Sequence, residues 1–427
     1  MYLRPQRDPA HPRSSERARA VRRRRSVAGA VMVALVALVA VVAIVVASSG
    51  GSGSAPSPLG GPGTASVLTQ DAAPSARDAH AAPFTPAPAA VATAARLSLA
   101  AQVAQLFLIG VDGTSTSSPD IAAFASNDWG GAELSRSNFL SDGQIGSLAG
   151  GITALAKSAG NVPPLIAAPQ EGGADTAFPD LPPEGEATIG ASGTPATAQA
   201  QAMLAGKQLL ALGVNMTFAP LADVDVLGGA LSGRLFSSSP HAVARFAAAA
   251  ETGYGSAGII SAAGHFPGAG AASADPDEMM ASVGGSLQAL EERDLIPFAA
   301  IAPRAPVIMM SNATYAAFDG VTPAGLLPDA VRLLRDHYGF GGVVMTDDLD
   351  AALLATAGSA GQAAVSAIRA GDDLLYITGT PAEQLSAYHA VLSAVEAGQI
   401  SRAEIHDALL RVLSLKAHYG LLAGFAG

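Results

Sequence analysis

Cysteine is absent from all 427 residues, so the chain offers no disulfide, thiolate zinc site, cysteine nucleophile or lipidated cysteine. No Gly-x-Ser-x-Gly stretch is present, which removes the usual elbow of a serine hydrolase. No Gly-x-Gly-x-x-Gly follows a first strand, so a dinucleotide site lacks its phosphate cradle. No spacing of His and carboxylates suits a metal, and no cofactor is expected. Charged residues are few, at 14%, against 49% hydrophobic, and the length allows one large domain with additions.

The charge that exists is unevenly placed. Residues 1–25 carry nine Arg against Asp8 and Glu16, a net of +7, which leaves −18 for the rest of a chain whose total is −11. An acidic body behind a basic head argues against nucleic acid as a partner of the body. Directly after the Arg run, residues 27–47 are 21 uninterrupted apolar residues, and about 20 span a bilayer. Arg on the leading flank predicts a cytoplasmic N-terminus and an external remainder. A cleavable signal peptide is the alternative, although its apolar region is shorter, roughly 7–15 residues. The expected organisation is a basic cytoplasmic segment (1–25), a membrane anchor (26–48), a flexible Gly/Ser/Ala/Pro linker (49–95) and a folded domain (96–427). The linker has too few large apolar residues to offset the entropy of folding.

From Leu97 on, strand-like apolar runs alternate with Ala/Leu-rich helical patterns. Eight strands are predicted, at 105–111, 131–135, 164–168, 215–219, 259–263, 307–311, 343–346 and 373–378. Helices are predicted at 195–212, 241–254, 286–301, 328–337 and 360–370, and two more, 381–397 and 402–418, cover the outside. Eightfold alternation predicts parallel βα units closed into a (β/α)8 TIM-type barrel, with an open doubly wound sheet as the alternative. In such a barrel the residues just after each strand face the active site. They are polar here: Glu171 after the third, Asp223 and Arg234 after the fourth, His265 and then Asp275, Asp277 and Glu278 after the fifth, Asn312 after the sixth. Asp347 ends the run Gly341-Gly342-Val343-Val344-Met345-Thr346. A rim of donors and acceptors with a fixed carboxylate suits a polyhydroxylated ligand.

Several segments, in order, resemble glycoside hydrolase family 3, specifically its single-domain β-N-acetylhexosaminidase branch. They are Leu97-Ser98-Leu99 with Val103-Ala104-Gln105-Leu106-Phe107, Gln170-Glu171-Gly172-Gly173, Leu212-Gly213-Val214-Asn215 with Phe218-Ala219-Pro220 and Asp223-Val224, His265-Phe266-Pro267-Gly268, and Tyr338-Gly339-Phe340 with Gly342 to Asp347. The similarity spans about Leu97 to Leu421. It implies a retaining mechanism on a β-linked amino sugar, with Asp347 as nucleophile and Arg234 and His265 holding the sugar. It also implies an acid/base His on a mobile loop after the fifth strand. Asp277 stands where that His is expected, and Asp275 aligns with its Asp partner. Pro169, Ala174, Gly264, Ala269, Ala271 and Asn312 depart from the pattern as well.

The rim residues pair Asp347 with Asp277 as candidate catalytic carboxyls; the resemblance adds Asp275 as an assistant and, with the rim position of the others, sugar contacts from Arg234, His265, Asp223, Glu171 and Asn312. Each has a plainer reading. Asp275, Asp277 and Glu278 could be a solvated acidic loop, His265 a wall residue and Arg234 a partner of Asp225. Glu171 could hold a loop amide, and Asp348 and Asp350 could serve the next helix N-terminus. Trp129, Tyr254 and Tyr315 read as packing residues. At the level of function, the alternative to a cell-wall glycosidase is a non-catalytic sugar- or wall-binding module on the same scaffold.

Overall fold

The computed structural model describes residues 84–350 and 358–425. The basic segment, the anchor run and nearly all of the linker lie outside them. No helix among the described residues is long and apolar enough to cross a membrane.

Eight parallel strands form one sheet: β1 (Phe107–Gly110), β2 (Gly131–Glu133), β3 (Leu165–Ala168), β4 (Met216–Thr217), β5 (Ile260–Phe266), β6 (Val307–Met310), β7 (Val343–Met345) and β8 (Leu375–Ile377). They neighbour one another in chain order, and β8 also pairs with β1. A parallel bridge between Met345 and Leu374, with Thr346 N–H donating to the Leu374 carbonyl, joins β7 to β8 and closes the ring. The strands are short and wholly or nearly wholly buried, which is why each reads as an unbroken apolar run and not as an alternation.

Helices α1 (Asp142–Ser158), α2 (Pro195–Ala211), α3 (Pro240–Ala257), α4 (Leu295–Ile301), α5 (Ala360–Ala370), α6 (Pro381–Glu396) and α7 (Arg402–His418) wrap the barrel. Their starts are written in the sequence. Ser141, Thr194, Ser359, Thr380 and Ser401 each cap a helix by accepting a backbone N–H, and Pro occupies the first turn of α2, α3 and α6. Two expectations are corrected. The 286–301 helix is two, Leu287–Glu291 and α4, because Asp294 turns inward at the break with no exposed surface and pairs with Arg293. The 328–337 helix loosens to a π turn at Leu333–His337.

One buried charge inside this shell has a measurable consequence. Glu251 of α3 is 4% exposed and accepts a hydrogen bond from the Ser261 hydroxyl at 2.7 Å, and its other oxygen has no hydrogen-bond partner among the described residues. Burial pushes its carboxyl up to about 8, against smaller opposition from Ser261 and Arg304. The folded state therefore holds a proton that the unfolded chain releases near pH 4.5. The resulting stability is full below that pH and is lost as pH rises towards 8. Glu251→Gln, which keeps an acceptor for Ser261, is expected to lose less stability than the parent between pH 5 and pH 8. Urea melts at the two pH values would measure this, and parallel losses would refute it.

Candidate active site

Asp347 sits two residues beyond Met345, the last of β7, at the C-terminal mouth of the ring. The Gly pair before β7 is sterically required at one position: a Cβ on Gly342 would meet the Pro306 carbonyl at 2.6 Å. Past the strand, Thr346 Oγ1 accepts the Tyr376 N–H at 2.9 Å, which locks β7 to β8. Asp347 is 5% exposed, and its Oδ1 accepts the Asp348 N–H at 2.8 Å. It opens into a cavity of about 220 Å³ that His265, Asp277, Glu171, Tyr376 and Phe218 also line. That is below the roughly 300–1,000 Å³ of drug-sized ligand pockets, and is room for a single sugar ring.

Asp277 enters this cavity from the loop after β5. The residue keeps solvent-exposed surface at the mouth, while its carboxyl is crowded by protein and hydrogen-bonded to that of Asp347. Burial first, then the like charge of Asp277, push Asp347 well above the usual carboxylate range, and His265 opposes them. Asp277 is raised too, by burial first and with Asp275 adding to it. Two carboxyls in contact cannot both ionise, so they share a proton. In ordinary retaining glycosidases such carboxyls stand about 5–5.5 Å apart.

His265 comes near the end of β5, which runs to Phe266, further than its apolar run predicts, because Gly264 and His265 continue the ladder. Its Nδ1 lies 2.9 Å from Asp223 Oδ2, and its N–H donates to the same oxygen at 3.1 Å. Asp223 is fully buried, and its other oxygen accepts the Ala269 N–H at 2.6 Å. Burial disfavours the imidazolium, but Asp223, Asp347 and Asp277 together outweigh it and raise His265 to about 10. The site therefore holds one fixed cation beside the two carboxyls. Asp223 stands behind His265 rather than on the cavity wall. Gly270, on the same loop, lies so close to the Val224 carbonyl that a Cβ would come within 1.8 Å.

The other candidates fall around this pair. Arg234 binds Glu171 with two nitrogens, its closest contacts at 2.9 Å, and reaches Asp175 and Asp275 at 3.4 Å. Neither plainer reading of these residues holds. Arg234 pairs with Glu171 and not with Asp225, and Glu171 takes the guanidinium and not a loop amide. The positive-φ turn at Gly172 and Gly173 folds the Gln170–Gly172 strand back on Asp175–Thr176 and brings Glu171 and Asp175 to one side. Asn312 is 4% exposed and donates to the Asp348 carbonyl at 2.8 Å; it is not on the cavity wall. Asp348 does more than serve the following helix: besides the Asp350 N–H at 3.0 Å, it accepts from the Thr378 N–H at 3.0 Å and from the Thr378 hydroxyl. Tyr315 is buried, and its hydroxyl donates to the Gly268 carbonyl at 3.1 Å.

The sequence reading passed over Tyr376, which lines the cavity, and the buried Glu133 of β2. Tyr376 lies in β8, its ring centroid 5.0 Å from that of Phe218. Glu133 ends β2, 3% exposed, and burial, then Asp348 and Asp112, lift it to about 8. Its signal was a carboxylate at the end of an apolar run, the same signal that picked out Asp347.

A closed ring of eight parallel strands with paired carboxyls at its mouth defines the class, and comparison with known proteins gives it a family. Residues 98–415 match the glycosyl hydrolase family 3 N-terminal domain, and the chain belongs to that family. It is similar to a β-hexosaminidase of Xylella fastidiosa, 33% identical over 282 residues that make up 64% of this chain and 83% of the relative. Its fold superposes on a family 3 β-N-acetylglucosaminidase from a Paenibacillus species with a TM-score of 0.73 and 31% identity, covering 78% of this chain and 64% of that one, so the chain spans just under two thirds of that structure. A β-N-acetylhexosaminidase from Beutenbergia cavernae gives a TM-score of 0.68 at 31% identity, over 76% of this chain and 99% of the other.

Proposed function

We propose that this chain is a retaining exo-acting glycosidase for terminal β-linked N-acetylhexosamine, with Asp347 as nucleophile and Asp277 as acid/base. The observation that carries this reading is the hydrogen-bonded carboxyl pair in a cavity sized for one ring. Similarity to proteins named β-hexosaminidase supports the choice of sugar. In the first step the Asp347 carboxylate attacks the anomeric carbon. The glycosidic oxygen departs with the proton of Asp277, leaving a glycosyl ester on Asp347. In the second step Asp277, now ionised, takes a proton from water as it attacks that ester. The raised pKa of Asp277 suits the first step, because an acid must still hold its proton near neutral pH. The His265 cation, held by Asp223, steadies negative charge on the pair.

Residues 26–48 would anchor the protein, with the barrel outside the cell and cell-wall material within reach. Cleavage of that segment would instead release the barrel.

A binding-only role is the second reading. It is favoured by the absence of polar groups at Pro169 and Gly264, both on the cavity wall. Incubation with a 5-fluoro N-acetylhexosaminyl fluoride, which keeps the 2-acetamido group and slows release of the adduct, separates the two. A covalent adduct on the peptide holding Asp347 is expected for the enzyme, and binding without an adduct would overturn it in favour of the module.

A further inference from the structure

Arg234 connects two parts of the mouth that are distant in sequence. Its Nε and Nη2 fork onto Glu171 at 3.3, 2.9 and 2.9 Å, and the Glu171 side chain, 12% exposed, lines the cavity. On the far side, Arg234 Nη1 reaches Asp275 Oδ2 at 3.4 Å. The other oxygen of Asp275 accepts the Asp277 N–H at 3.1 Å, and Asp277 meets Asp347. An unbroken path thus runs from Glu171 through Arg234, Asp275 and Asp277 to Asp347. Arg234 itself is not on the cavity wall.

The two ends of this path differ in strength. A guanidinium–carboxylate hydrogen bond is strongest at about 2.7–2.9 Å and in forked geometry. The Glu171 end meets both conditions, and the Asp275 end meets neither. The carboxyl pair is too close for a glycosidic oxygen to lie between its members, so the Asp277 turn has to give way on binding. The weaker tie is the one attached to that turn. An Arg stays charged at any working pH, so its side of the tie is constant.

We infer that Arg234 is a positioning residue for proton transfer: anchored on Glu171, it holds the Asp275–Asp277 turn over Asp347 through a tie to Asp275 that yields when substrate parts the carboxyls. The inference rests on the reading of Asp277 as acid/base.

Leaving-group dependence tests it. A dinitrophenyl β-N-acetylglucosaminide expels its leaving group without a proton, whereas the phenyl glycoside needs one. Arg234→Gln is expected to lower kcat/KM on the phenyl glycoside by about 100-fold, the lower end of what general acid catalysis contributes. The loss on the dinitrophenyl glycoside is expected to be several-fold at most. Arg234→Lys, which keeps the charge without the fork, should fall between parent and Arg234→Gln. An equal rise in KM for both substrates with kcat unchanged would make Arg234 a plain sugar ligand and overturn the inference. If Arg234→Gln does not fold, Asp275→Asn decides. It spares the Arg234–Glu171 pair and an acceptor for the Asp277 N–H, and should show the same selective loss at reduced size. Asp277→Asn, measured alongside, separates the two levels. If it is selective and the Arg234 and Asp275 variants are not, only the positioning role fails; if it is not selective, the acid/base assignment fails and takes the positioning role with it.

Discussion

Asp347→Asn is expected to lower kcat/KM on an aryl β-N-acetylhexosaminide by at least about 10⁴-fold, the scale seen when a covalent nucleophile is removed, and at the same time to raise the melting temperature. The first effect follows from chemistry, since an amide does not form the glycosyl ester. The second follows from the surroundings. Burial and the neighbouring Asp277 drive Asp347 well above the normal carboxylate range, so its negative charge is unfavourable to the fold at neutral pH. An amide of the same shape removes that charge and still accepts the Asp348 N–H. Kinetics and thermal melts on one preparation would test both. Activity within tenfold of the parent would remove Asp347 from the reaction. A lower melting temperature would mean that the charge is better accommodated than its burial implies.

Asp277→Asn has the next largest expected effect, a loss of about 10²–10⁴ on poor leaving groups with a change in the shape of the pH profile. On the proposed mechanism the parent requires the pair to hold one proton. With none, the leaving group is not protonated; with two, the nucleophile is blocked. Its kcat/KM should therefore be bell-shaped, with apparent pKa values belonging to the pair. In the variant the high-pH limb disappears. The low-pH limb stays, because Asp277 is still protonated in that range and its like charge, which raises Asp347 only when present, does not act there. His265, lifted to about 10, stays charged across this range and contributes neither limb. A variant profile that keeps both limbs would show that another group carries the proton.

How much of this was legible in the sequence depends on distance along the chain. The eight strands could be read because burial on both faces leaves a local mark, an apolar run of a few residues. Asp347 and His265 could be singled out because a barrel puts the residues at strand ends at its mouth. β5 ended too early in that reading because Gly264 and His265 break the apolar run while the ladder continues. The partnership of Arg234 with Glu171 was beyond local pattern: 63 residues separate them, and only the pairing of β3 with β4 brings the third and fourth loops together. Tyr376 was hidden in a strand that looked wholly structural. Asn312 was expected to touch sugar and Asp348 to serve the next helix, and nothing local said that one would hold the other's carbonyl. The share of the site made by tertiary contact was therefore the share that the sequence concealed.

The ring is fastened between its seventh and eighth staves by one β-bridge and a few neighbouring hydrogen bonds, including those of Thr346 and Asp348. Asp347 lies between the latter two residues. The join made by an isolated bridge rather than a ladder is thus also the mounting of the proposed nucleophile. On warming, that join should work loose before the helices outside it melt, so activity is expected to fade at a temperature where circular dichroism still reports a folded protein.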